Sequence, residues 1–448
     1  MTTRTELQSA AQIATAVRDG RTSAVDVVTT HLARIDRHNG TLGALRATRH
    51  ALALAEAAEV DARPDRDRLP LAGVPVAIKD NIAVAGEQAR HGSAATDPAV
   101  AQSDDELVAR LRRAGAVVVG ISAMPELAAW AYTSSTAYGV TRNPWDVSRD
   151  PGGSTGGGAV AVATGMAALA LGTDGGGSLR VPAAYCGLVG LKPGQGVVPL
   201  PGGVAEHWCG LSAAGPIART AADAALALAV LGGNEPAPLP HVGRMRIAVS
   251  LRCPVPTSRA DAHQRAAITL AADRLRALGH EVVEANPPYP PTLVQRWSRR
   301  WWAGIALDAE QLGVDENLLE PRTRRMVAKG RRVLRAGGPR PQVATAWRDR
   351  ASAWFADYDA VLMPTTATTP PAAGAFDGKG YLATFLAAGK SWPYCQAWNL
   401  AGLPALSAPV GLRDGLPLSV QLATRAGREL DLLALAARLQ HPLTPDLS

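Results

Sequence analysis

The fold of this chain is decided by the stretch from Pro151 to Pro193, which reads PGGSTGGGAVAVATGMAALALGTDGGGSLRVPAAYCGLVGLKP. Between Pro151 and Ile217 lie 18 of the protein's 44 glycines, but only four charged residues: Asp174, Arg180, Lys192 and Glu206. Glycine-rich linkers are polar, whereas this stretch is filled with Ala, Val and Leu. The combination predicts a buried region in which backbone closely approaches another group. We interpret it as an active site.

Length and composition narrow the classes of protein. The 448 residues, 47% of them hydrophobic, are enough to bury a large core, and without a repeat or linker we expect one domain. Four scattered cysteines without a C-x-x-C pair are typical of a reducing compartment. With no apolar signal or membrane segment, we expect a cytoplasmic protein. A net charge of +7 is modest, so no nucleic-acid partner is expected.

Strands and helices alternate before the glycine-rich stretch. Residues 1–60 have the apolar spacing of helices. GVPVAIKDN (73–81) and AVVVGIS (116–122) are short and β-branched, which predicts two buried strands, the first ending on Lys79. A helix that stops at Gly115 separates them. This alternation predicts an α/β fold. Residues 159–171 predict an alanine-rich helix buried on every face.

Several catalytic motifs are excluded by their residues. Gly172–Ser178 is no Walker A loop because it has no Lys before the serine, and no His or Cys cluster suggests a metal. Gly152–Gly156 matches the G-x-S-x-G elbow of α/β-hydrolases, in which Ser154 would be an esterase nucleophile. That elbow directly follows a central strand. The segment before Ser154 has Pro144 and Pro151 at its ends, and proline cannot donate to the hydrogen bonds of a central strand, so this context argues against an elbow.

Ser154, Ser178 and Lys79 form a second candidate catalytic set, as an alternative to the α/β-hydrolase elbow. A serine hydroxyl near neutral pH needs a base, and none of the histidines lies in the glycine-rich blocks. Lys79 can serve if burial lowers its pKa, although a lysine at a strand end also commonly extends to solvent. The glycines before Ser178 offer backbone N–H groups for an oxyanion, or simply a tight turn.

In their order, these blocks resemble the amidase signature enzymes over nearly the whole chain. GVPVAIKDNI (73–82) is similar to that family's lysine strand. PGGSTGGGAVAVATG (151–165) and LGTDGGGSLRVPAAYCGLVGLKP (171–193) are similar to its signature blocks. The pieces NPWD, GPIART, LMPTT, NLAGLPAL and GLPLSVQLA also fall where the family has similar ones.

The resemblance implies a role for each matched residue. Ser178 would be the nucleophile, Ser154 a bridging serine after a cis peptide bond, and Lys79 the base. The N–H groups of Gly175, Gly176, Gly177 and Ser178 would form the oxyanion hole. Thr155 and Gly158 stand where family members often have serine, but neither is a catalytic position.

The resemblance also implies fold and activity. It implies a single large α/β/α domain around a mixed twisted sheet, spanning 1–448. Within it we expect an N-terminal helical arm (1–60), a catalytic signature core (73–217) and a variable helical segment (281–357). The implied reaction is hydrolysis of a carboxylic amide through a serine acyl-enzyme, giving an acid plus ammonia or an amine, with neither cofactor nor metal.

The substrate is not defined by these motifs. By position alone, Tyr132, Trp208 and Arg180 are candidates for substrate binding, with His207 beside Trp208. The expected partner is a small-molecule amide, and a homodimer is compatible with the sequence. Three alternatives remain open: the glutamine-hydrolysing subunit of a tRNA-dependent amidotransferase, an esterase that uses Ser154, and a non-catalytic scaffold.

Overall fold

A mixed sheet of eleven strands forms the centre of the computed structural model, which describes residues 7–441 and 443–447. Two very short strands pair separately, β4 with β5. In chain order the strands are β1 (Leu45–Thr48), β2 (Pro75–Lys79), β3 (Val117–Ser122), β4 (Ser134–Ser135), β5 (Gly139–Val140), β6 (Leu169–Asp174), β7 (Val189–Lys192), β8 (Ala213–Ala218), β9 (Arg246–Val249), β10 (Glu281–Glu284), β11 (Ala360–Met363), β12 (Ala405–Arg413) and β13 (Leu416–Ala423).

The large sheet has the order β1-β3-β2-β6-β8-β7-β12-β13-β11-β9-β10. Strands β3, β2 and β6 run parallel, as do β11, β9 and β10, and the other neighbours are antiparallel. In the parallel pair β2–β6, Ile78 lies opposite Leu171. The carboxyl ends of these two strands, at Lys79 and Asp174, therefore meet at one edge of the sheet.

Helices pack on both faces of the sheet. They are α1 (Ala10–Arg18), α2 (Ala24–Leu42), α3 (His50–Ala62), α4 (Glu106–Arg113), α5 (Gly156–Ala163), α6 (Arg180–Cys186), α7 (Ala221–Gly232), α8 (Ala262–Ala277), α9 (Leu293–Gln311), α10 (Pro321–Arg335), α11 (Pro341–Trp354), α12 (Tyr381–Ser391), α13 (Gln396–Ala401) and α14 (Glu429–Leu439). Among the helices of the described residues, none has both the length and the apolar character needed to cross a membrane.

Two apolar clusters show how the layers are arranged. Ala360 and Leu362 of β11 belong to one cluster, and Val361 and Met363 to the other. Because successive side chains of a strand point to opposite faces, the clusters lie on opposite sides of the sheet. The first includes α1–α3, α7, α8 and α14, and the second includes α9–α11 and α13. The predicted α/β class, with helices around a mixed sheet, is confirmed.

One predicted helix proves to be half helix and half strand. Instead of covering 159–171, α5 ends at Ala163, Gly165 turns the chain with a φ of 72°, and Leu169 begins β6. β6 is a central strand, paired with β2 and β8. An apolar run buried on all sides has no amphipathic period to distinguish helix from strand, which explains the error.

The boundaries of the other segments need smaller corrections. The segment predicted as an N-terminal helical arm contains α1, α2 and most of α3, and its Leu45–Thr48 forms β1, antiparallel to β3. Segment 281–357 begins with β10 before α9–α11. Residues 1–6, 442 and 448 lie outside the described residues. The single-domain division of 1–448 stays a prediction.

Candidate active site

Lys79, the last residue of β2, has a fully buried side chain at the carboxyl edge of the sheet. Its Nζ atom lies 2.8 Å from Ser154 Oγ, 3.0 Å from Thr173 Oγ1 and 3.2 Å from the Thr173 carbonyl oxygen. Thr173 belongs to β6, the parallel neighbour of β2. A neutral amine can donate to two of these oxygens and accept a proton from the third, and an ammonium group can donate to all three.

Burial lowers the pKa of Lys79 from its usual 10.5 to about 7. The ammonium form loses its hydration in the buried site, and the carboxylate of Asp174 offsets only part of that loss. A substantial fraction of neutral amine is therefore present near neutral pH. In that form Lys79 can accept a proton from a neighbouring hydroxyl group.

Ser154 lies two residues before α5, and its peptide bond with Gly153 is cis, as the family resemblance implies. The chain passes so close to Tyr132 that a β-carbon at position 153 would lie 2.3 Å from the Tyr132 carbonyl oxygen. Only glycine fits this approach. The side chain of Ser154 is fully buried, with Lys79 as its hydrogen-bond partner.

The esterase alternative needs a strand that leads directly into Ser154. Residues 141–153, all described, form turns and isolated bridges and no strand. The partner of Ser154 Oγ is a lysine, whereas the α/β-hydrolase elbow uses histidine. The local structure therefore does not support Ser154 as the nucleophile of an esterase elbow.

Ser178 closes the loop that follows β6, which we call the glycine loop (residues 175–178). Ser178 and Ser154 line the same cavity, and the Thr155 N–H donates to the Ser178 carbonyl oxygen at 3.1 Å. Ser178 is 9% exposed, whereas Ser154 and Lys79 are 0% exposed. Among the described residues, none forms a hydrogen bond with Ser178 Oγ. The hydroxyl group of Ser178 is thus the most accessible group of the three.

A buried ionic network supports the glycine loop. Asp174 accepts hydrogen bonds from the N–H groups of Gly177 at 2.7 Å and Leu179 at 3.2 Å. The Arg180 guanidinium donates to both carboxylate oxygens, at 3.0 and 2.9 Å. Burial raises the pKa of Asp174, but Arg180 and Asn399 outweigh it and hold that pKa below its usual value.

Arg180 is positioned by the protein on all sides. Besides Asp174, it donates to Gln421 Oε1 at 2.7 Å, the Cys395 carbonyl oxygen at 3.1 Å and Asn399 Oδ1 at 2.5 Å. It is fully buried and lines neither cavity beside Ser178. The prediction that Arg180 contacts substrate is therefore wrong. The guanidinium donates its hydrogen bonds within the protein and positions the glycine loop.

The network also limits which backbone groups can bind an oxyanion. Because the Gly177 N–H donates to Asp174, it is not a free donor. In the described part of the chain, the N–H groups of Gly175, Gly176 and Ser178 have no protein acceptor. Of the four predicted oxyanion donors, only the Gly177 N–H is therefore already used within the protein.

Two cavities meet at Ser178. The first, which we call the apolar cavity, has no charged residue in its lining, and its aromatic members are Trp130, Trp208, Trp297, Trp301, Phe385 and Trp392. The second, which we call the polar cavity, contains Ser154 and many hydrogen-bonding side chains: Asn81, His91, Thr173, His207, Ser212, Asp308 and Gln311. Trp208 lines both cavities and forms a wall between them.

Asp308 of α9 holds this wall in place. Its carboxylate accepts a hydrogen bond from Trp208 Nε1 at 2.6 Å and lies 2.9 Å from His207 Nε2. His207 Nδ1 is in turn 2.7 Å from Ser212 Oγ. The indole of Trp208 packs on the glycine loop, where a β-carbon at Gly175 would lie 2.4 Å from the ring. These contacts fix the ring beside Gly175.

Tyr132 lies outside both cavities. Its ring is fully buried, stacks on Phe376 at 4.6 Å, and has the Arg322 guanidinium 5.1 Å from its centre. The prediction that Tyr132 contacts substrate is therefore wrong. Its backbone packs against Gly153 and so limits the path of the chain before Ser154. Trp130, two residues earlier, is the aromatic residue of this segment that lines the apolar cavity.

Most of the cavity wall had no recognisable signal in the sequence. Trp297 and Trp301 come from α9 and stack at 5.0 Å, and Phe385 comes from α12. The sequence also has no pattern that indicates Asn399 and Gln421 as members of the ionic network. Asp174 and Arg180 carried a usable signal, because they are two of only four charges in a long apolar stretch. The described residues contain no cluster of His, Cys, Asp and Glu suited to a metal ion.

Comparison with known proteins gives one family. The family model described as "Amidase" matches residues 26–433. A Mycobacterium tuberculosis protein named as an amidase, AmiB2, is 43% identical over 451 residues, covering 96% of this chain and 95% of the relative. A glutamyl-tRNA(Gln) amidotransferase subunit from Prochlorococcus marinus is 35% identical, with 93% of each chain covered.

Solved structures agree with this result. The structure of 6-aminohexanoate cyclic dimer hydrolase superposes on this chain with a TM-score of 0.86 and 28% identity, covering 97% of each chain. The similarity therefore extends over the whole sheet and its helices.

Proposed function

Since this chain belongs to the amidase signature family, we propose that its amide hydrolysis runs through an acyl-enzyme on Ser178, with Ser154 as the bridging hydroxyl group and Lys79 as the base. The observation that carries the proposal is the 2.8 Å contact between Lys79 Nζ and Ser154 Oγ at a fully buried lysine. The protein is an amide-hydrolysing enzyme, and the roles of these three residues are what we propose.

The geometry of the lysine supports the proposed proton path. Neutral Lys79 donates to the two oxygens of Thr173 and accepts the proton of Ser154. Ser154 lines the same cavity as Ser178, and in this path it forms a hydrogen bond with Ser178 once substrate is bound and accepts its proton as Ser178 Oγ attacks the amide carbonyl carbon. The pKa of about 7 at Lys79 supports this path, because a base works best when its pKa is near the working pH.

The tetrahedral oxyanion is bound by backbone N–H groups. We assign this role to Gly175, Gly176 and Ser178, whose N–H groups have no protein acceptor. Each such donor is typically worth about 3 kcal/mol of transition-state stabilisation. The ionic pair of Asp174 with Arg180 holds the loop that presents these donors.

Collapse of the intermediate releases the amine and then the acid. The carbon–nitrogen bond breaks as Ser154 returns the proton to the leaving nitrogen, giving ammonia or an amine and an ester on Ser178. Water, deprotonated through the same pair, attacks that ester and restores Ser178. These steps use the protein's own groups and water.

The partner and the compartment also belong to this proposal. The partner is a small-molecule amide. Four unpaired cysteines, two of them buried, support a reducing compartment such as the cytoplasm. The homodimer stays a prediction.

The amidotransferase alternative is less well supported by the cavities. The amide of glutamine is on its side chain, so its α-ammonium and α-carboxylate groups would enter the acyl side of the site. Because Ser154 would return the proton to the leaving nitrogen and lines only the polar cavity, the acyl side is the apolar cavity, which has no charged residue to pair with these groups. Burying charge without a partner costs several kcal/mol. We therefore expect free glutamine to be a poor substrate.

Labelling with a serine-directed fluorophosphonate tests the assignment. We expect one equivalent to attach at Ser178, as mapped by peptide mass spectrometry, and Ser178→Ala to remove both labelling and amide hydrolysis. Attachment at Ser154 in the wild-type protein would contradict the proposal.

A further inference from the structure

We propose that the physiological substrate is an uncharged amide of an apolar acid whose acyl group carries a planar ring. The acyl group occupies the apolar cavity, and a small amine or ammonia leaves through the polar cavity. The inference rests on the proposed acyl-enzyme mechanism at Ser178 and adds the substrate class and its direction of binding.

The apolar cavity is built to bind a ring. Trp297 and Trp301 stack at 5.0 Å, and Trp130 meets the edge of Trp301 at 5.4 Å. The ring of Phe385 in α12 is nearly parallel to that of Trp301, with 6.2 Å between their centres. Flat walls made of several aromatic rings favour a planar apolar group through dispersion and edge-to-face contacts.

The chemistry of the lining limits the acyl group further. The lining residues include no Asp, Glu, Lys, Arg or His, so an ionised group in this cavity would have no counter-charge. An acyl group with a carboxylate or an ammonium substituent would have to give up its hydration without replacement. The acyl group is therefore uncharged.

The polar cavity has the opposite character. Asp105 and Asp308 line it, and it has no arginine or lysine in its lining. Burial lowers the pKa of His91 to about 4, so His91 is a neutral hydrogen-bonding group there. Such a lining accepts hydrogen bonds from the N–H groups of an amine and disfavours an amine that bears a carboxylate.

The position of Ser154 sets the direction of binding. Ser178 lines both cavities, whereas Ser154 lines only the polar one. Because Ser154 returns the proton to the leaving nitrogen, that nitrogen must face the polar cavity. The acyl carbon chain then extends to the other side of Trp208, into the apolar cavity.

A pair of isomeric amides tests this direction. N-methyl-3-phenylpropanamide and N-(2-phenylethyl)acetamide have the same atoms and are both secondary amides, but the phenyl group lies on opposite sides of the carbonyl. We expect kcat/KM to be at least about tenfold higher for the first, as measured by amine release. Equal values, or a preference for the second, would overturn the proposal.

A substitution in α12 tests the location of the acyl group. Gly389 lines the apolar cavity, and a β-carbon there meets no atom within 4 Å. Gly389→Leu should therefore fill the cavity and lower kcat/KM for N-methyl-3-phenylpropanamide at least about tenfold more than for N-methylacetamide. The matched control Ala383→Leu places the same leucine side chain at an exposed position of α12 and should leave that ratio unchanged. If Gly389→Leu also leaves the ratio unchanged, the acyl group is not bound in this cavity.

Failure of the mechanism and failure of the binding direction give different results. If the acyl-enzyme mechanism is wrong, fluorophosphonate does not label Ser178. If only the direction of binding is wrong, Ser178 is labelled and both amides are hydrolysed, but N-(2-phenylethyl)acetamide is hydrolysed at least as well as N-methyl-3-phenylpropanamide.

Discussion

Arg180 and Asp174 form a two-point ion pair beneath the glycine loop, with 3.0 Å between Nε and Oδ2 and 2.9 Å between Nη2 and Oδ1. Both side chains have no exposed surface. Since Asp174 also accepts the Gly177 N–H, the pair determines the path of the loop that carries Ser178. Two of the four charged residues between Pro151 and Ile217 thus serve the geometry of the nucleophile.

Replacing Arg180 with leucine should destabilise the protein strongly. Asp174 would remain buried without its partner, and breaking such a pair typically costs about 3–5 kcal/mol in the free energy of unfolding. Urea denaturation followed by circular dichroism measures the change. Arg21→Ala is the control, because Arg21 pairs with Asp19 at the surface and should change the free energy by less than about 1 kcal/mol. Similar losses in both variants would contradict the role of the buried pair.

Replacing Lys79 with methionine should remove the amine that acts as the base and keep an unbranched apolar side chain in its place. We expect kcat to fall by about 10² to 10⁴, the usual contribution of a general base, with an unchanged circular dichroism spectrum. Lys192→Met is a matched control, since Lys192 is equally buried and burial also lowers its pKa to about 7. Lys192 Nζ bonds the Pro193 carbonyl oxygen instead of a serine. Near-normal turnover in Lys79→Met would show that Lys79 is not the base.

The pH dependence of kcat/KM should follow the ionisation of Lys79. Its pKa is lowered to about 7, and the active form is the neutral amine, so activity should rise as the pH increases through 7 and then level off. Initial rates with an uncharged amide, measured from mildly acidic to mildly alkaline pH, test this. An optimum in the acidic range would be inconsistent with a neutral lysine base.

Gly153→Ala should inactivate the enzyme through the backbone. The new β-carbon would lie 2.3 Å from the Tyr132 carbonyl oxygen, so the segment that carries Ser154 has to move away from Lys79. We expect loss of soluble protein or, in any soluble fraction, a fall in kcat of at least about a hundredfold. In Gly40→Ala the added methyl group meets no atom within 4 Å, and helix α2 should be slightly stabilised. Full activity in Gly153→Ala would show that this close approach does not position Ser154.

Trp208→Ala should lower kcat/KM for all amides, because the indole packs on Gly175 and separates the two cavities. We expect a loss of about tenfold to a hundredfold, and a smaller loss in Trp208→Phe, which keeps a ring but not the hydrogen bond to Asp308. Trp354→Phe, in a half-buried position of α11, controls for the loss of an indole. Equal losses in the alanine and phenylalanine variants at position 208 would argue against a role for the ring.

The sequence by itself determined the local elements that have a distinct pattern. The β-branched run ending on Lys79, the glycines around Ser154 and the three glycines before Ser178 have few structural interpretations, because steric limits on the backbone are local. The α/β class also follows from alternating short patterns. The stretch after Ala163 was misjudged because apolar burial on all sides removes the periodic signal.

Only the tertiary structure decided which distant residues meet. The parallel pairing of β2 with β6 brings Lys79 to Thr173, and the bend that begins at Gly153 carries Ser154, which contacts Lys79. The tertiary structure also decides which residues line the cavities beside Ser178. Tyr132 and Arg180 face protein groups, whereas Trp297 and Trp301 of the distant helix α9 form part of the cavity wall. Side-chain direction depends on how helices pack onto the sheet, and that packing is a property of the whole chain.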